Sequence, residues 1–153
     1  MFQYTHIVHL ADIHIRNGNK EHSKYEQYTQ AFHNLDYSIR KKLCKLNALN
    51  TSIIVVAGDI FHNKYKVENF GLKLFQTFLS ILTNIAPTVI IPGNHDFQQQ
   101  YPDEPSLLDA SIFPNIENLY YMTNTSILEL HNIGISTVSV KDTLVQGESF
   151  GIS

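Results

Sequence analysis

The sequence predicts an α/β fold with a parallel βαβαβ core, and two observations carry that prediction. Short runs rich in β-branched residues have the length and composition of strands that are buried on both faces. Between these runs, apolar residues recur at steps of three and four, the spacing that places side chains on one face of a helix. Strands and helices that alternate in this order form a parallel sheet through right-handed crossover connections.

The first predicted unit is a strand over residues 4–11 followed by a long helix. In the helix, apolar positions recur from Tyr25 to Leu46 and form one face. The basic run at residues 40–45 falls at the end of this helix, where positive charge complements the helix dipole. We interpret it as a solvated helix end rather than a phosphate-binding patch.

The second helix is predicted between two more strands. Residues 52–57 (SIIVVA) are short and β-branched, which predicts a buried strand, and apolar residues from 67 to 82 then recur at helical spacing. A third strand is predicted at residues 88–91, closed by Pro92. The remaining predicted elements are a short helix at residues 105–113, strands at residues 119–122, 126–130 and 135–140, and a turn at residues 131–134.

Length and composition narrow the classes of function. A chain of 153 residues with 43% hydrophobic content fits one domain over residues 1–153. The net charge of −3 gives no general indication of nucleic-acid binding, although ten of the eleven Lys and Arg residues lie in residues 1–73. Cys44 is the only cysteine and the N-terminus lacks a signal-peptide pattern, so we expect an intracellular, non-secreted protein. No apolar run reaches membrane-spanning length, so no membrane partner is expected.

Polar side chains follow each of the three predicted core strands. The motifs are Asp-Ile-His at residues 12–14, Gly-Asp-Ile-Phe-His at residues 58–62 and Gly-Asn-His-Asp at residues 93–96. The carboxyl ends of parallel strands meet at one edge of a sheet, where open α/β proteins bind their ligands. We therefore expect the three motifs to share one pocket.

The residue types in these motifs predict a metal centre. Oxygen and imidazole ligands together suit divalent ions such as manganese, iron or zinc. In a centre with two ions about 3.5–4 Å apart, a carboxylate such as Asp59 can bridge the ions while they hold a phosphate and lower the pKa of a bound water. Gly58 and Gly93 fit this interpretation, because they allow sharp turns where a β-carbon would crowd the metals.

Each motif taken singly also has an ordinary structural interpretation. An Asp-x-His triplet and a Gly-Asp pair are common in surface turns, whereas Gly-Asn-His-Asp is much rarer. The three motifs in this order, each at the end of a strand, favour one metal centre over three unrelated turns.

With these residues, the chain resembles the calcineurin-like metallophosphoesterase superfamily, whose pattern begins with Asp-x-His, Gly-Asp and Gly-Asn-His-Asp. The forms HLADIH at residues 9–14 and GDIFH at residues 58–62 are most similar to those of the DNA-repair nucleases SbcD and meiotic recombination eleven. Many plain phosphatases of the superfamily have Asp or Asn at the position of His62. The resemblance implies the calcineurin-like phosphoesterase sandwich as the fold, incomplete at the C-terminus.

The resemblance also implies a set of metal ligands. Asp12 and His14 would bind the first ion, Asp59 would bridge, and Asn94 would bind the second. Both ions are expected to be divalent, with manganese as the favoured metal.

Three further residues receive catalytic or orienting roles from the resemblance. His95 would assist the phosphoryl transition state, and Asp96 would orient His95 through a hydrogen bond that fixes its tautomer. His62 would seat the DNA phosphate or serve the leaving oxygen, and its alternative is an exposed loop histidine. His9 matches the motif of the family and is expected to pack or form hydrogen bonds beneath the site.

The chain departs from the pattern of the family after residue 96. The pattern continues with a lone His and a Gly-His-x-His block, but only His131 follows His95 here, and we expect it to be a surface turn residue. Four of the seven ligands that the resemblance implies are then present. We therefore expect a C-terminally truncated domain that binds manganese weakly and cleaves DNA slowly or not at all.

The predicted function is a manganese-dependent DNA nuclease of double-strand-break repair, acting as exonuclease or endonuclease. One alternative keeps the chemistry and changes the substrate to a phosphomonoester or a cyclic nucleotide. Another is an inert, truncated binding module. For partners, the resemblance implies DNA, an SMC-like ATPase, and a second copy of the chain that binds through the helices near residues 25–46 and 67–82.

Overall fold

The computed structural model of the protein describes residues 2–16, 22–62, 68–96 and 116–139. Within these ranges the chain forms one parallel sheet with two helices on one face and a β-hairpin on the other. The elements, in chain order, are β1 (His6–Leu10), α1 (His22–Lys45), a 3₁₀ turn (Leu49–Thr51), β2 (Ser52–Ala57), α2 (Asn69–Thr83), β3 (Thr88–Ile91), β4 (Leu119–Tyr121), β5 (Ser126–Leu130) and β6 (Ile133–Thr137).

The parallel sheet has the strand order β1-β2-β3-β4. Its register pairs Val8 with Ile54 and Val56 with Ile90, so the ends of the first three strands lie side by side. Helix α1 connects β1 to β2 and α2 connects β2 to β3, which are the crossovers of a parallel βαβαβ unit. The predicted fold class is therefore confirmed.

The helix side of the sheet contains the larger hydrophobic core. The predicted apolar face of each helix packs there, and the rings of Phe32 in α1 and Phe78 in α2 lie 5.1 Å apart. The strands contribute the side chains that alternate toward the helices, including Ile54, Val56 and Ile90. Burial of this face supplies most of the hydrophobic stabilisation and fixes the sheet beneath the strand ends.

The hairpin β5–β6 covers the opposite face of the sheet. Ile53 and Val89 are fully buried beneath it, together with Met122 and Tyr4. Asn132 in the hairpin turn accepts a hydrogen bond from the Tyr4 N–H at 2.7 Å and donates one to the Tyr4 carbonyl at 3.0 Å. These two bonds fasten the hairpin to the segment that leads into β1.

The hairpin turn differs from its prediction. Strand β6 starts at Ile133, so the loop contains only His131 and Asn132, and Gly134 pairs with Glu129 inside the hairpin. His131 takes a positive φ of 52°, which lets a two-residue turn close. His131 is exposed, as expected for a surface turn residue, and its ring lies 5.0 Å from that of Phe2.

Strand β1 is also shorter than predicted, and it is not buried on both faces. Its side chains alternate between half-buried and exposed, and Ile7 is 56% exposed. The reason is its position, since β1 is an edge strand of the described sheet. The prediction that His9 packs or forms hydrogen bonds beneath the site is wrong, because His9 is exposed on the same side of β1 as Ile7.

Both helices lie where the spacing of apolar residues predicts them. Their apolar faces pack against the sheet and against each other, so these faces are not available to a second copy of the chain. Tyr37 in α1 remains 65% exposed. Neither helix in the described ranges is long and apolar enough to cross a membrane. The predicted helix at residues 105–113 lies outside the described residues.

Candidate metal centre

The loops that follow β1 and β2 continue side by side beyond the ends of the strands. The N–H groups of Asp12 and His14 donate to the carbonyls of Gly58 and Asp59 at 3.3 Å and 3.0 Å. Ile15 then donates to Ile60 at 2.7 Å. These three hydrogen bonds form a ladder that holds the first motif against the second. The two loops therefore share one backbone framework.

Buried side chains anchor this framework to the core. Ile15, Ile60 and Phe61 are almost completely buried, and Phe61 packs against Phe75 of α2 with ring centroids 5.3 Å apart. The apolar residues of these two loops therefore point into the core. The polar residues between them stay at the strand ends, where Asp12 is exposed and His14 and Asp59 are half-buried.

The predicted ligands in these loops have an unusual backbone conformation. Asp12, His14 and Asp59 have φ values of 55°, 50° and 53°, in the left-handed region. A side chain with a β-carbon is strained there, typically by about 1–3 kcal/mol, and the conformation persists only where the surroundings enforce it. Such strain concentrates at functional sites. The other non-glycine residues with positive φ in the described ranges, Asn47, Asn118 and His131, lie at ordinary turns.

Three predicted ligands come together. Asp12, His14 and Asp59 each offer one ligand atom, and these atoms all lie within 4.8 Å of one another. The Nε2 atom of His14 is 3.6 Å from Oδ1 of Asp12. The Asp12 side chain is 71% exposed, so this cluster is open to solvent.

Asn94, the fourth predicted ligand, meets the same carboxylate. With its amide nitrogen turned toward Asp59, Asn94 donates to Oδ1 at 3.0 Å and to Oδ2 at 3.2 Å. With the amide reversed, its oxygen faces the carboxylate oxygens, and two sets of acceptors then face each other. A cation between them would stabilise that second orientation. The Asn94 amide can thus hold Asp59 by itself and can present its oxygen to a metal.

The residues present fit a divalent cation. The donor set combines carboxylate and amide oxygens with imidazole nitrogen, which suits first-row divalent metals. The His14 nitrogen that lies beside the Asp12 carboxylate is Nε2, so Nε2 is the imidazole atom placed to meet an ion. The other ring nitrogen, Nδ1, is buried and has no hydrogen-bond partner among the described residues, so no hydrogen bond there fixes the tautomer of the ring.

Two glycines allow the second and third loops to touch. A β-carbon on Gly58 would lie 2.5 Å from Cα of Gly93 and 2.7 Å from its nitrogen. A β-carbon on Gly93 would collide with Oδ1 and the backbone nitrogen of Asp59. The expected reason for these glycines was crowding of the metals. The structure gives a different reason, which is direct contact between the two loop backbones.

Asp96 joins the same two loops from below. It is fully buried and accepts hydrogen bonds from the N–H groups of Gly93 at 2.8 Å, Ile60 at 3.2 Å and Phe61 at 3.2 Å. Burial raises the pKa of the Asp96 carboxyl, the three N–H bonds oppose that shift, and the charge of Asp59 adds to it.

The expected hydrogen bond between the Asp96 carboxylate and the ring of His95 is not found among the described residues. The Asp96 carboxylate turns inward, where three backbone N–H groups converge. The Nδ1 atom of His95 instead lies 3.3 Å from the carbonyl oxygen of His62, and the His95 N–H donates to Oδ1 of Asp59 at 3.0 Å. His95 is therefore oriented by the loop that carries His62, and Asp96 braces the backbone.

The three histidines of the motifs form one group. The ring centroid of His14 is 5.2 Å from that of His95 and 5.5 Å from that of His62. The rings of His62 and His95 are 6.4 Å apart and nearly parallel. His62 is exposed, as expected if it were only a loop histidine. It nevertheless lies beside the predicted ligand His14 and not apart from the site.

Tyr28 is a residue of the site that the sequence did not single out. Its hydroxyl oxygen lies 3.1 Å from both the Arg16 nitrogen and the His14 carbonyl oxygen. In the sequence, Tyr28 is one of several aromatic residues at helical spacing, which indicates only a core position. The sequence offers one clue to the role of Tyr28, which is that the hydroxyl of a half-buried tyrosine needs a hydrogen-bond partner.

Comparison with known proteins shows which sequences this chain resembles. Residues 5–149 match the sequence profile of the family described as calcineurin-like phosphoesterase. An uncharacterized protein of Acanthamoeba polyphaga mimivirus is 31% identical over 95% of this chain, and the match covers 10% of that protein. The DNA double-strand break repair protein Mre11 of Archaeoglobus fulgidus is 24% identical over 92% of the chain and 31% of its own length.

A third similar protein comes from Invertebrate iridescent virus 6 and carries the name phosphoesterase. It is 28% identical over 56% of this chain, and the match covers 30% of that protein. The chain thus spans less than a third of the length of each of these relatives.

Replacement of Gly93 by alanine is expected to disturb the site directly. The new β-carbon meets the Asp59 backbone, which cannot move freely because Asp59 is part of the loop ladder. We expect Gly93→Ala to lower the free energy of unfolding by about 1–3 kcal/mol, measured by urea denaturation. Gly134→Ala is the matched control, since nothing lies within 4 Å of a β-carbon there. Equal stability of the two variants would contradict the loop contact.

Removal of the Asp96 carboxylate is expected to destabilise the fold more strongly. Asp96→Ala leaves three backbone N–H groups without their acceptor, which predicts a loss of about 3 kcal/mol or more in urea denaturation. Asp36→Ala serves as the control, because Asp36 forms a surface ion pair with Arg40 at 2.7 Å that is worth about 0.5 kcal/mol. A loss for Asp96→Ala as small as for Asp36→Ala would refute the bracing role.

Proposed function

The chain belongs to the calcineurin-like phosphoesterase family, and on that premise we propose that it hydrolyses phosphodiester bonds of DNA at a two-metal centre. The proposed activity is that of a manganese-dependent nuclease of double-strand-break repair. One observation carries the proposal: four candidate ligands from three separate strand ends meet around the carboxylate of Asp59.

We take the division of ligands from the resemblance, and the observed positions are compatible with it. Asp12 and His14 each have a ligand atom within 4.8 Å of one on Asp59 and would hold the first ion. Asn94 lies against both oxygens of Asp59 and would hold the second, with Asp59 between the two. Two divalent ions at such a centre neutralise charge on a phosphate and make a water nucleophilic near neutral pH.

The remaining groups of the chain are suited to bind and orient the phosphate. The Nδ1 atom of His95 faces a carbonyl, which only accepts hydrogen bonds, so Nδ1 carries a proton. The Nε2 atom of His95 is then the group left for the substrate, as acceptor when the ring is neutral and as donor when it is charged. His62 lies beside it in a nearly parallel orientation and offers a second imidazole on the solvent side.

Three observations support DNA as the substrate over a small phosphomonoester or a cyclic nucleotide. The Gly-Asp-Ile-Phe-His motif places His62 within 5.5 Å of His14, measured between ring centroids. The similarity to the Archaeoglobus protein extends over 92% of the chain. The centre also opens to solvent at Asp12, where a long substrate has access.

We further propose that residues 1–153 form one metallophosphoesterase domain. This domain would act on DNA inside the cell, with an SMC-like ATPase as a further partner. A homodimer would have to use exposed residues such as Tyr37, because the apolar faces of α1 and α2 belong to the core.

Manganese binding tests the metal centre. We expect Mn²⁺ to broaden the backbone amide NMR signals of Asp12, His14 and Asp59 selectively and with weak affinity, since four ligands hold two ions loosely. Asp59→Asn should abolish the effect at these residues, whereas Asp36→Asn on the surface of α1 should not change it. Two tight sites by calorimetry would refute the expected weak binding, and uniform broadening over the whole chain would refute the centre.

The role of His62 separates the two substrate classes. We expect His62→Asn to slow manganese-dependent cleavage of double-stranded DNA by about 100-fold and to spare hydrolysis of p-nitrophenyl phosphate. Both rates are measured with enzyme in excess, so that slow cleavage is resolved. His33→Asn, an exposed position on α1, is the control. An unchanged DNA rate would argue against the assignment of His62, and a loss of only the p-nitrophenyl phosphate activity would favour the phosphomonoesterase.

A further inference from the structure

The hydroxyl group of Tyr28 links helix α1 to the loop that carries Asp12 and His14. Its oxygen accepts a hydrogen bond from the N–H of Arg16 at 3.1 Å and donates one to the carbonyl of His14, also at 3.1 Å. One hydroxyl therefore satisfies two backbone groups on either side of Ile15.

These two backbone groups point away from β2. Ile15 donates its N–H to Ile60 and accepts a hydrogen bond from His62, so both of its own backbone groups face the loop after β2. The His14 carbonyl and the Arg16 N–H face the other side, where the described sheet ends because β1 is its edge strand. In a wider parallel sheet, one residue of a neighbouring strand would pair with such groups. Here the phenol hydroxyl of Tyr28 pairs with both groups in place of a neighbouring strand.

The conformation of His14 gives this link its importance. His14 has a φ of 50°, a left-handed conformation that persists only when surrounding contacts enforce it. Its N–H is fixed by Asp59 at 3.0 Å, and its carbonyl is fixed by Tyr28. With both ends of the residue held, the imidazole is directed toward Asp12 and Asp59 before any ion arrives.

We propose that Tyr28 is a positioning residue that holds His14 in its metal-binding conformation, an inference that rests on the metal centre proposed above. Partners that orient a ligand in this way typically change metal affinity by about 10–100-fold when they are removed. The ring of Tyr28 packs separately, at a centroid distance of 6.0 Å from Phe32. Tyr28→Phe thus keeps the packing and removes only the link.

The test compares Tyr28→Phe with Tyr37→Phe, which removes a hydroxyl from a residue of the same helix that is 65% exposed. The first measurement is amide hydrogen exchange of Arg16 without metal, at a temperature well below the midpoint of thermal unfolding. The second is the midpoint of a Mn²⁺ titration, followed by paramagnetic broadening of the His14 and Asp59 amides. We expect Tyr28→Phe to speed Arg16 exchange by about tenfold and to raise the Mn²⁺ midpoint by about tenfold. Tyr37→Phe should change neither.

The outcomes separate this inference from the proposed function. If the unaltered chain shows selective broadening and Tyr28→Phe shows the same Mn²⁺ midpoint, the positioning role is overturned and the metal centre stands. Unchanged exchange at Arg16 also overturns it, because the link then does not protect that amide. If the unaltered chain shows no selective broadening, the metal centre fails, and the positioning role fails with it.

Discussion

The contact between the backbones of Gly58 and Gly93 is the constraint on which the rest of the site depends. It places the ends of β2 and β3 closer than residues with a β-carbon could come. Asp59 follows the first glycine and Asn94 follows the second, so this contact brings the amide of Asn94 against the Asp59 carboxylate. Asp96 fixes the same two loops from the buried side through three N–H bonds. The polar surface above can therefore be preorganised without any ion to assemble it.

Strain in the ligand loops is balanced by the structure around them. Asp12, His14 and Asp59 have left-handed backbone conformations, which would relax in an isolated loop. The N–H groups of Asp12 and His14 and the carbonyl of Asp59 pair along the ladder between the two loops, and Ile15, Ile60 and Phe61 hold that ladder to the core. The hydrophobic core beneath α1 and α2 thus contributes to the geometry of the site as well as to stability.

Much of this fold follows from the sequence because its strands are distinct local patterns. The strands at residues 52–57, 88–91 and 126–130 have the predicted bounds, since β-branched or alternating runs end there at turn residues. The hairpin turn was misplaced because Gly134 suggested a turn, whereas the positive φ of His131 closes it. The convergence of Asp12, His14, Asp59 and Asn94 was predictable, because parallel strands end at one edge. The inward direction of Asp96 and the Tyr28 link were not, since both depend on long-range contacts with backbone groups.

The same distinction explains why the centre is easier to infer than its substrate. The positions of the candidate ligands are set by the strand ends and by contacts among the loop backbones within residues 12–96. These contacts do not depend on which phosphate ester is the substrate. Substrate choice depends on groups that touch the parts of the substrate beyond the phosphate. In the described residues, two imidazoles lie beside the ligand cluster without belonging to it, that of His62, which is exposed, and that of His95, which is half-buried. We therefore expect a preference for DNA to arise at these two imidazoles and at surfaces farther from the centre, because the roles proposed for Asp59 and its neighbours are the same for any phosphoester.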